Sequence, residues 1–335
     1  MTMSCWNRFG PKVRRGRFSL TMRILIAGGF GFLGGRLAEH FSQAGHQIVL
    51  GARNESNPPD WLPQAEVKQI KWNDACDLES SCEGVDVIIH AAGMNSKDCA
   101  ADPVAALDIN GLATGRLVNA ASQARVKKII YLSTAHVYAS PLTGTITEKS
   151  CPRNLHPYAT SNLAGEHTVL GASKRGLIQG IVIRLSNAFG TPMDKDMNCW
   201  MLLVNDLCRQ AVQTGKLVLQ TTGLQQRDFV CLTEVCRVVK SLVINDGVSS
   251  KHSIFNVGAG ASQSVLEMAE LIQLRCAQVL GLDLDLKYKQ NIEGDKPLKL
   301  NYRTNHLNSL GINIKNLENK AEIDGLLQFC QTAFT

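Results

Sequence analysis

Short, unbroken apolar runs recur along the chain, each ending in small or polar residues and most followed by a stretch of helical period. The first is Arg23-Ile24-Leu25-Ile26-Ala27; glycines break it, and Arg36-Leu37-Ala38-Glu39-His40-Phe41 resumes with helical spacing. Runs that do not alternate with polar residues read as strands buried on both faces, the habit of parallel sheets. Further runs lie at 46–50, 67–71, 86–90, 127–132 and 181–185, with helical patterns from Pro103 through Ala124 and onward from Tyr158. Such alternation predicts an α/β fold with a doubly wound parallel sheet, whose ligands bind at the C-terminal strand ends. Beyond Leu185 the pattern loosens into a helix near 200–214, short strands at 217–219, 227–230 and 254–258, and an apolar helix over 265–280. No repeat or low-complexity linker separates the parts. The reading is a nucleotide-binding part at 22–185 and a mainly substrate-binding part at 186–335, with interleaving of the two allowed.

The break after the first run carries chemistry. Gly28, Gly31 and Gly34 lie three apart between strand and helix. The first can make the tight turn, the second lets the backbone approach a pyrophosphate, and the third lets helix pack close to strand. Phe32 and Leu33 belong to the same loop, and the anion would sit at the helix N-terminus, where free N–H groups and the helix dipole favour negative charge. This predicts a dinucleotide site. Ala91 and Ala92, after the 86–90 run, leave room for a cofactor beside the backbone, and Trp72, Asn73 and Asp74 lie where a strand end could meet an adenine. NAD-binding folds place Asp or Glu about 20 residues past the glycines, whereas an Arg suits the 2′-phosphate of NADP. Here Arg53 follows the second run and no acid precedes Glu55. The cofactor is therefore NAD or NADP, with NADP favoured by Arg53.

Composition narrows the setting. At 335 residues, 44% hydrophobic and 19% charged, the chain suits a globular enzyme, and no apolar run approaches the roughly 18 residues of a membrane helix. Eleven cysteines without a Cys-x-x-Cys pair point to reduced thiols in a cytoplasmic protein, with neither a disulfide framework nor a metal site. Of the net charge of +6, five charges come from Arg8, Lys12, Arg14, Arg15 and Arg17 in an acid-free start. The body is thus near neutral and is not expected to bind nucleic acid. Residues 1–21 read as a disordered basic tail or a start codon placed early, a reading favoured by Met22 just before the first strand, with an organellar presequence as the alternative.

The glycine loop, Tyr131-Leu132-Ser133-Thr134 with Val137-Tyr138, the Tyr158 helix with Ala164-Gly165-Glu166, and Arg184-Leu185-Ser186-Asn187-Ala188-Phe189-Gly190 occur in that order. With Arg227-Asp228-Phe229-Val230 and Phe255-Asn256-Val257-Gly258, this resembles the extended short-chain dehydrogenase/reductase family, in its nucleotide-sugar branch, over roughly residues 22 to 315. The resemblance implies a Rossmann-type cofactor domain and reversible hydride transfer on a nucleotide-sugar, as an epimerase or reductase. Tyr158 would be the acid-base residue and Thr134 the hydroxyl sharing its proton. Ser133, Asn187 and Arg227 would face the substrate, Arg227 at its diphosphate, and Asn110 would be structural or cofactor-side. A homodimer through helices at about 104–124 and 158–173 is implied as well.

Two positions depart from the family pattern. The lysine four residues after the tyrosine, which holds the nicotinamide ribose and lowers the tyrosine pKa, is Asn162 here: able to hydrogen-bond a ribose but bringing no charge. The alternative function, a weakly catalytic NAD(P)-binding sensor or scaffold, rests on that position. Sugar 4,6-dehydratases follow the threonine with Asp and Glu; this chain has Ala135 and His136, which disfavours dehydration. His136 could donate a proton near neutrality.

Overall fold

The computed structural model describes residues 21–245, 252–290, 298–314 and 318–335. The basic tail expected over 1–21 lies, apart from Thr21, outside them. The first apolar run forms β1 (Arg23–Ala27), fully buried from Ile24 onward, and α1 (Phe32–Gln43) turns Leu37, Ala38 and Phe41 onto the sheet. β2 (Gln47–Ala52) and β3 (Glu66–Gln69) follow. Asp74 starts α2 (Ala75–Cys82) by accepting the Cys76 and Asp77 backbone N–H groups, and β4 (Val87–His90) comes next.

The helix expected over 103–124 is built in pieces. α3 (Ser96–Ala101) and α4 (Pro103–Ala106) lead into a π-helical turn, Leu107–Leu112, before α5 (Ala113–Gln123). Asn110 in that turn is buried, its Oδ1 accepting the Met94 N–H at 2.8 Å and its Nδ2 donating to Ser161 at 3.0 Å. Bulges of this kind cluster at functional sites.

β5 (Lys128–Thr134) and β6 (Gly144–Ile146) precede α6 (Pro157–Lys174), which begins on a proline, then β7 (Gln179–Leu185) and β8 (Asn187–Phe189). The remainder comprises α7 (Leu203–Thr214), β9 (Lys216–Val218), β10 (Gln226–Cys231), α8 (Leu232–Ile244), β11 (Ile254–Val257) and β12 (Ser262–Ser264). It ends with α9 (Val265–Leu280), β13 (Asp285–Lys287), β14 (Leu300–Tyr302), α10 (Asn305–Ser309) and α11 (Glu318–Phe334).

Seven parallel strands form the main sheet in the order β11-β7-β5-β4-β1-β2-β3. The chain winds outward from β1 to β3 and resumes at β4 on the other side of β1, so the topological switch lies between β1 and β4. One sheet face is covered by α1 and α8, the other by α2, α5 and α6. β11, from beyond residue 185, is the seventh strand, so the two parts share one sheet. A second core joins α7, α9 and α11 around Leu207, Ile272 and Leu326.

Glu322 on α11 ties this second core to the first. It is buried and accepts Arg36 of α1 at 2.7 Å, the Thr191 N–H at 3.0 Å and the Thr233 hydroxyl at 2.6 Å. No helix among the described residues is long and apolar enough to cross a membrane.

Candidate active site

The glycine loop opens at the switch point. Gly28 is left-handed, with φ +84°, and its N–H donates to Gly51 O at 3.1 Å. A Cβ there would lie 2.7 Å from Ala92 N, so the Ala91–Ala92 backbone runs against the loop. At Gly34 a Cβ would run into Gly28 O; this glycine lets α1 pack on the turn. Gly31 differs: it is exposed, its φ of −86° suits any residue, and a Cβ would meet Gly28 O at 3.2 Å and otherwise nothing. No side chain caps the N-terminus of α1. A left-handed turn, open space at Gly31 and uncapped helix N–H groups fit a dinucleotide pyrophosphate. Phe32 and Leu33 are half-buried at the loop exit.

Arg53 lies exposed past β2, without an ion pair among the described residues. Just before it, Gly51 has no room for a side chain: a Cβ would run into Ile70 and lie 3.2 Å from Ala27 Cα. Two of the three residues expected near an adenine serve the protein itself. Trp72 stacks on His90 with ring centroids 5.7 Å apart, and Asp74 caps α2.

β5, β4 and β1 are parallel neighbours, so Thr134 opens on the same sheet edge as the glycine loop. Across from it, in the first turn of α6, the Tyr158 phenol lies near the Thr134 side chain. Burial pushes the phenol above its usual pKa, and the nearby Thr134 hydroxyl opposes this. The other group bearing on it is the Cys99 thiol; no cation is among them. Asn162 is buried beneath. Its Nδ2 donates to Tyr158 O at 2.8 Å and its Oδ1 accepts from Tyr131 OH at 3.2 Å, so one N–H is left for a ribose. The Tyr131 contact had no sequence signal, because Tyr131 reads as an ordinary strand residue.

Ser133, expected to face substrate, donates to Glu166 Oε1 at 2.6 Å. Glu166 and Arg184 form a buried ion pair at 2.6 Å, and the Arg184 guanidinium lies 4.7 Å over the Tyr138 ring. Tyr138 OH in turn donates to Asn256 at 2.7 Å. These residues, separate marks in the sequence, form one buried polar network beneath the site.

On the far wall, Asn187 Nδ2 donates to Asp228 O at 3.0 Å. Asp228 does not pair with Arg227. Its carboxylate takes Ser186 Oγ at 2.7 Å and the Ala259 and Gly260 N–H groups at 2.8 Å each, and burial pushes its pKa up to about 6. Arg227 is half-buried with no ion pair among the described residues, and desolvation pushes its pKa down.

Two further residues were not singled out in the sequence. Asn154 donates from Nδ2 to His136 O at 2.8 Å and accepts the His156 N–H at 3.0 Å. His156 caps α6, its Nδ1 accepting the Tyr158 N–H at 3.1 Å. The available signal was the position of His156, one residue before a proline that opens a helix.

Comparison with known proteins identifies the family and the fold. Residues 24–258 match the profile of the NAD dependent epimerase/dehydratase family. A dTDP-D-glucose 4,6-dehydratase of Bos taurus is 28% identical over 271 residues, covering 76% of this chain and 74% of that one. A putative UDP-glucose 4-epimerase of Methanocaldococcus jannaschii is 24% identical, covering 75% and 81%. The structure of a UDP-N-acetylglucosamine 4-epimerase from Methanobrevibacter ruminantium M1, in complex with UDP-N-acetylmuramic acid, shares the fold with a TM-score of 0.78 at 20% identity, over 92% and 98% of the two chains. With most of its length inside the profile and the glycine loop at the switch point of a parallel sheet, this chain belongs to the NAD dependent epimerase/dehydratase family.

Proposed function

We propose that the protein is an NAD(P)-dependent nucleotide-sugar epimerase or reductase that moves a hydride reversibly at one sugar carbon. The observation that carries this reading is the placement of Thr134 and Tyr158 near each other at the sheet edge shared with the glycine loop. The nicotinamide, when bound, supplies a reversible hydride acceptor. Gly28, Gly31 and Gly34 with the start of α1 would hold its pyrophosphate, Ala91 and Ala92 leaving room alongside. For sugar oxidation Tyr158 takes the hydroxyl proton while Thr134 holds the same oxygen; for reduction the phenol returns it. Arg227, without an ion pair among the described residues, would take the nucleotide diphosphate, with Asn187 beside the sugar. Buried thiols such as Cys82 and Cys236, both pushed up to about 12 by desolvation, suit a reducing cytoplasm.

The test is a panel of UDP-, GDP- and dTDP-hexoses read by NMR. An epimer or a reduced sugar is expected. A 4-keto-6-deoxy product is not, since Ala135 and His136 stand where dehydratases carry acids; its detection would overturn the exclusion of dehydration. Dinucleotide binding without turnover of any sugar would support a sensor instead.

NADP is the favoured coenzyme, because Arg53 has no ion pair among the described residues and a Cβ at Gly51, near the end of β2, would have no room. Arg53→Ala is expected to weaken NADP(H) binding about tenfold, the order of one charge-assisted contact, and to spare NAD(H). Equal losses for both coenzymes in calorimetry would refute the role of Arg53. A homodimer through α5 and α6 is supported by exposed Val104, Leu107, Ile109 and Leu112, an apolar stripe leading into α5.

A further inference from the structure

We propose that Gly35 is a positioning residue for this reaction: it seats the segment that follows the substrate wall directly on the cofactor helix, and so sets the spacing across which the hydride moves. The inference rests on the nucleotide-sugar reading and adds a residue to it. A Cβ at Gly35 would lie 2.9 Å from Met197 Cε and 3.1 Å from Met193 Cγ, so two methionine side chains rest against bare helix backbone. Gly34, beside it on α1, turns to the glycine loop instead, where a Cβ would run into Gly28 O. Two adjacent glycines thus admit two different neighbours, one from each side of the site.

Gly35 N–H donates to Gly31 O at 2.8 Å, which places the two on successive turns of one helix face. The methionines therefore sit one turn, about 5 Å, from the glycine assigned to the pyrophosphate. Their segment begins at Gly190, three residues past Asn187, and its first two residues have all four backbone polar groups engaged. Asn205 holds Gly190, accepting its N–H at 3.2 Å and donating from Nδ2 to its carbonyl at 2.8 Å. Thr191 N–H donates to Glu322 at 3.0 Å, and Thr191 O accepts from Arg36, the residue after Gly35, at 2.8 Å. Substrate wall and α1 are thereby joined by a short bonded stretch with a packed end. Methionine, unbranched and flexible, fills the narrow gap that a glycine leaves, and Met197 is buried there. A larger residue at position 35 would push the segment off the helix. Misplacement of reacting groups by about 1 Å can cost about a hundredfold in rate, so size at this position bears on a reaction that Gly35 does not touch.

The experiment compares Gly35→Leu with the unchanged full chain, by calorimetry with NADP and with UDP-glucose, dTDP-glucose and GDP-mannose, and by turnover of the sugar that the NMR panel identifies. Gly35→Leu is expected to keep dinucleotide affinity within about threefold, to bind the nucleotide-sugar about tenfold more weakly and to turn it over about a hundredfold more slowly. Adding Met197→Ala, which vacates the space the leucine needs, should recover most of both losses. Met193→Ala with Met197→Ala leaves α1 unaltered and should lower turnover while dinucleotide affinity holds; this pair decides the matter if Gly35→Leu does not fold. Unchanged nucleotide-sugar binding and turnover in Gly35→Leu, or in the alanine pair, would overturn the inference and leave the nucleotide-sugar reading in place. So would a loss that falls on the dinucleotide alone, or one that Met197→Ala does not relieve. Binding of none of the three sugars by an unchanged chain that still takes up the dinucleotide would overturn both.

Discussion

Tyr158→Phe will lower turnover about a thousandfold, the scale of a lost general acid-base, both in the natural sequence and in Asn162→Lys. The single change Asn162→Lys will instead raise sugar oxidation near neutral pH about tenfold and move its pH profile to lower pH. A free phenol has a pKa near 10, so about one in a thousand is ionised at pH 7, and burial of Tyr158 reduces that fraction further. Below its pKa the rate of a step that needs phenolate rises about tenfold per pH unit, so a cation that lowers the pKa moves the whole limb toward acid. Asn162 brings no charge, and its amide is tied to Tyr158 O and Tyr131 OH. A lysine gives up the Tyr131 contact and must carry its ammonium to the open cleft. Asn162→Met, of similar reach and uncharged, separates charge from shape and should leave the profile in place. If Asn162→Lys changes neither rate nor profile and Tyr158→Phe keeps full turnover, Tyr158 is not the acid-base residue.

The second large effect is expected at Gly31. Valine there should weaken dinucleotide binding by at least about a hundredfold while the protein still folds. The backbone is in an ordinary region and a Cβ meets only Gly28 O, at 3.2 Å; the remaining volume is open. A β-branched residue at the start of α1 costs about 1 kcal/mol, a shift of a few degrees in Tm for a chain of this size. Gly34 gives the contrast, because there a Cβ runs into the Gly28 carbonyl and the turn itself must give way. Unchanged affinity in Gly31→Val, measured by calorimetry on protein with a normal melting curve, would remove the dinucleotide from this loop.

The parallel sheet was legible because strands buried on both faces must be apolar throughout, so β1, β4, β5 and β7 stand out as runs. β6, β8, β12, β13 and β14 are three residues each and too short to carry a period. The π-helical turn carries contacts of Asn110 with Met94 and Ser161, neighbours that spacing along the chain does not reveal. At the site, pattern singled out Tyr158 and Thr134, whose side chains lie near each other in the fold. The bond from Ser133 to Glu166, the bridge of Asn154 between two histidines and the engagement of Asp228 away from Arg227 depend on which side chains face each other. Each changes what is left free for a ligand.

The contact between Arg36 and Glu322 also bears on the order in which the molecule is made. Arg36 follows the glycine loop by two residues, yet its carboxylate partner lies 286 residues further along the chain. Domains generally fold from the N-terminus while the ribosome is still at work. Here the nascent cofactor half emerges with a cation that lacks its counter-ion until α11 is synthesised, and with a sheet that still lacks β11. The dinucleotide loop is thus made well before it is secured, and ribosome-bound intermediates lacking α11 are expected to hold dinucleotide more weakly than the released chain.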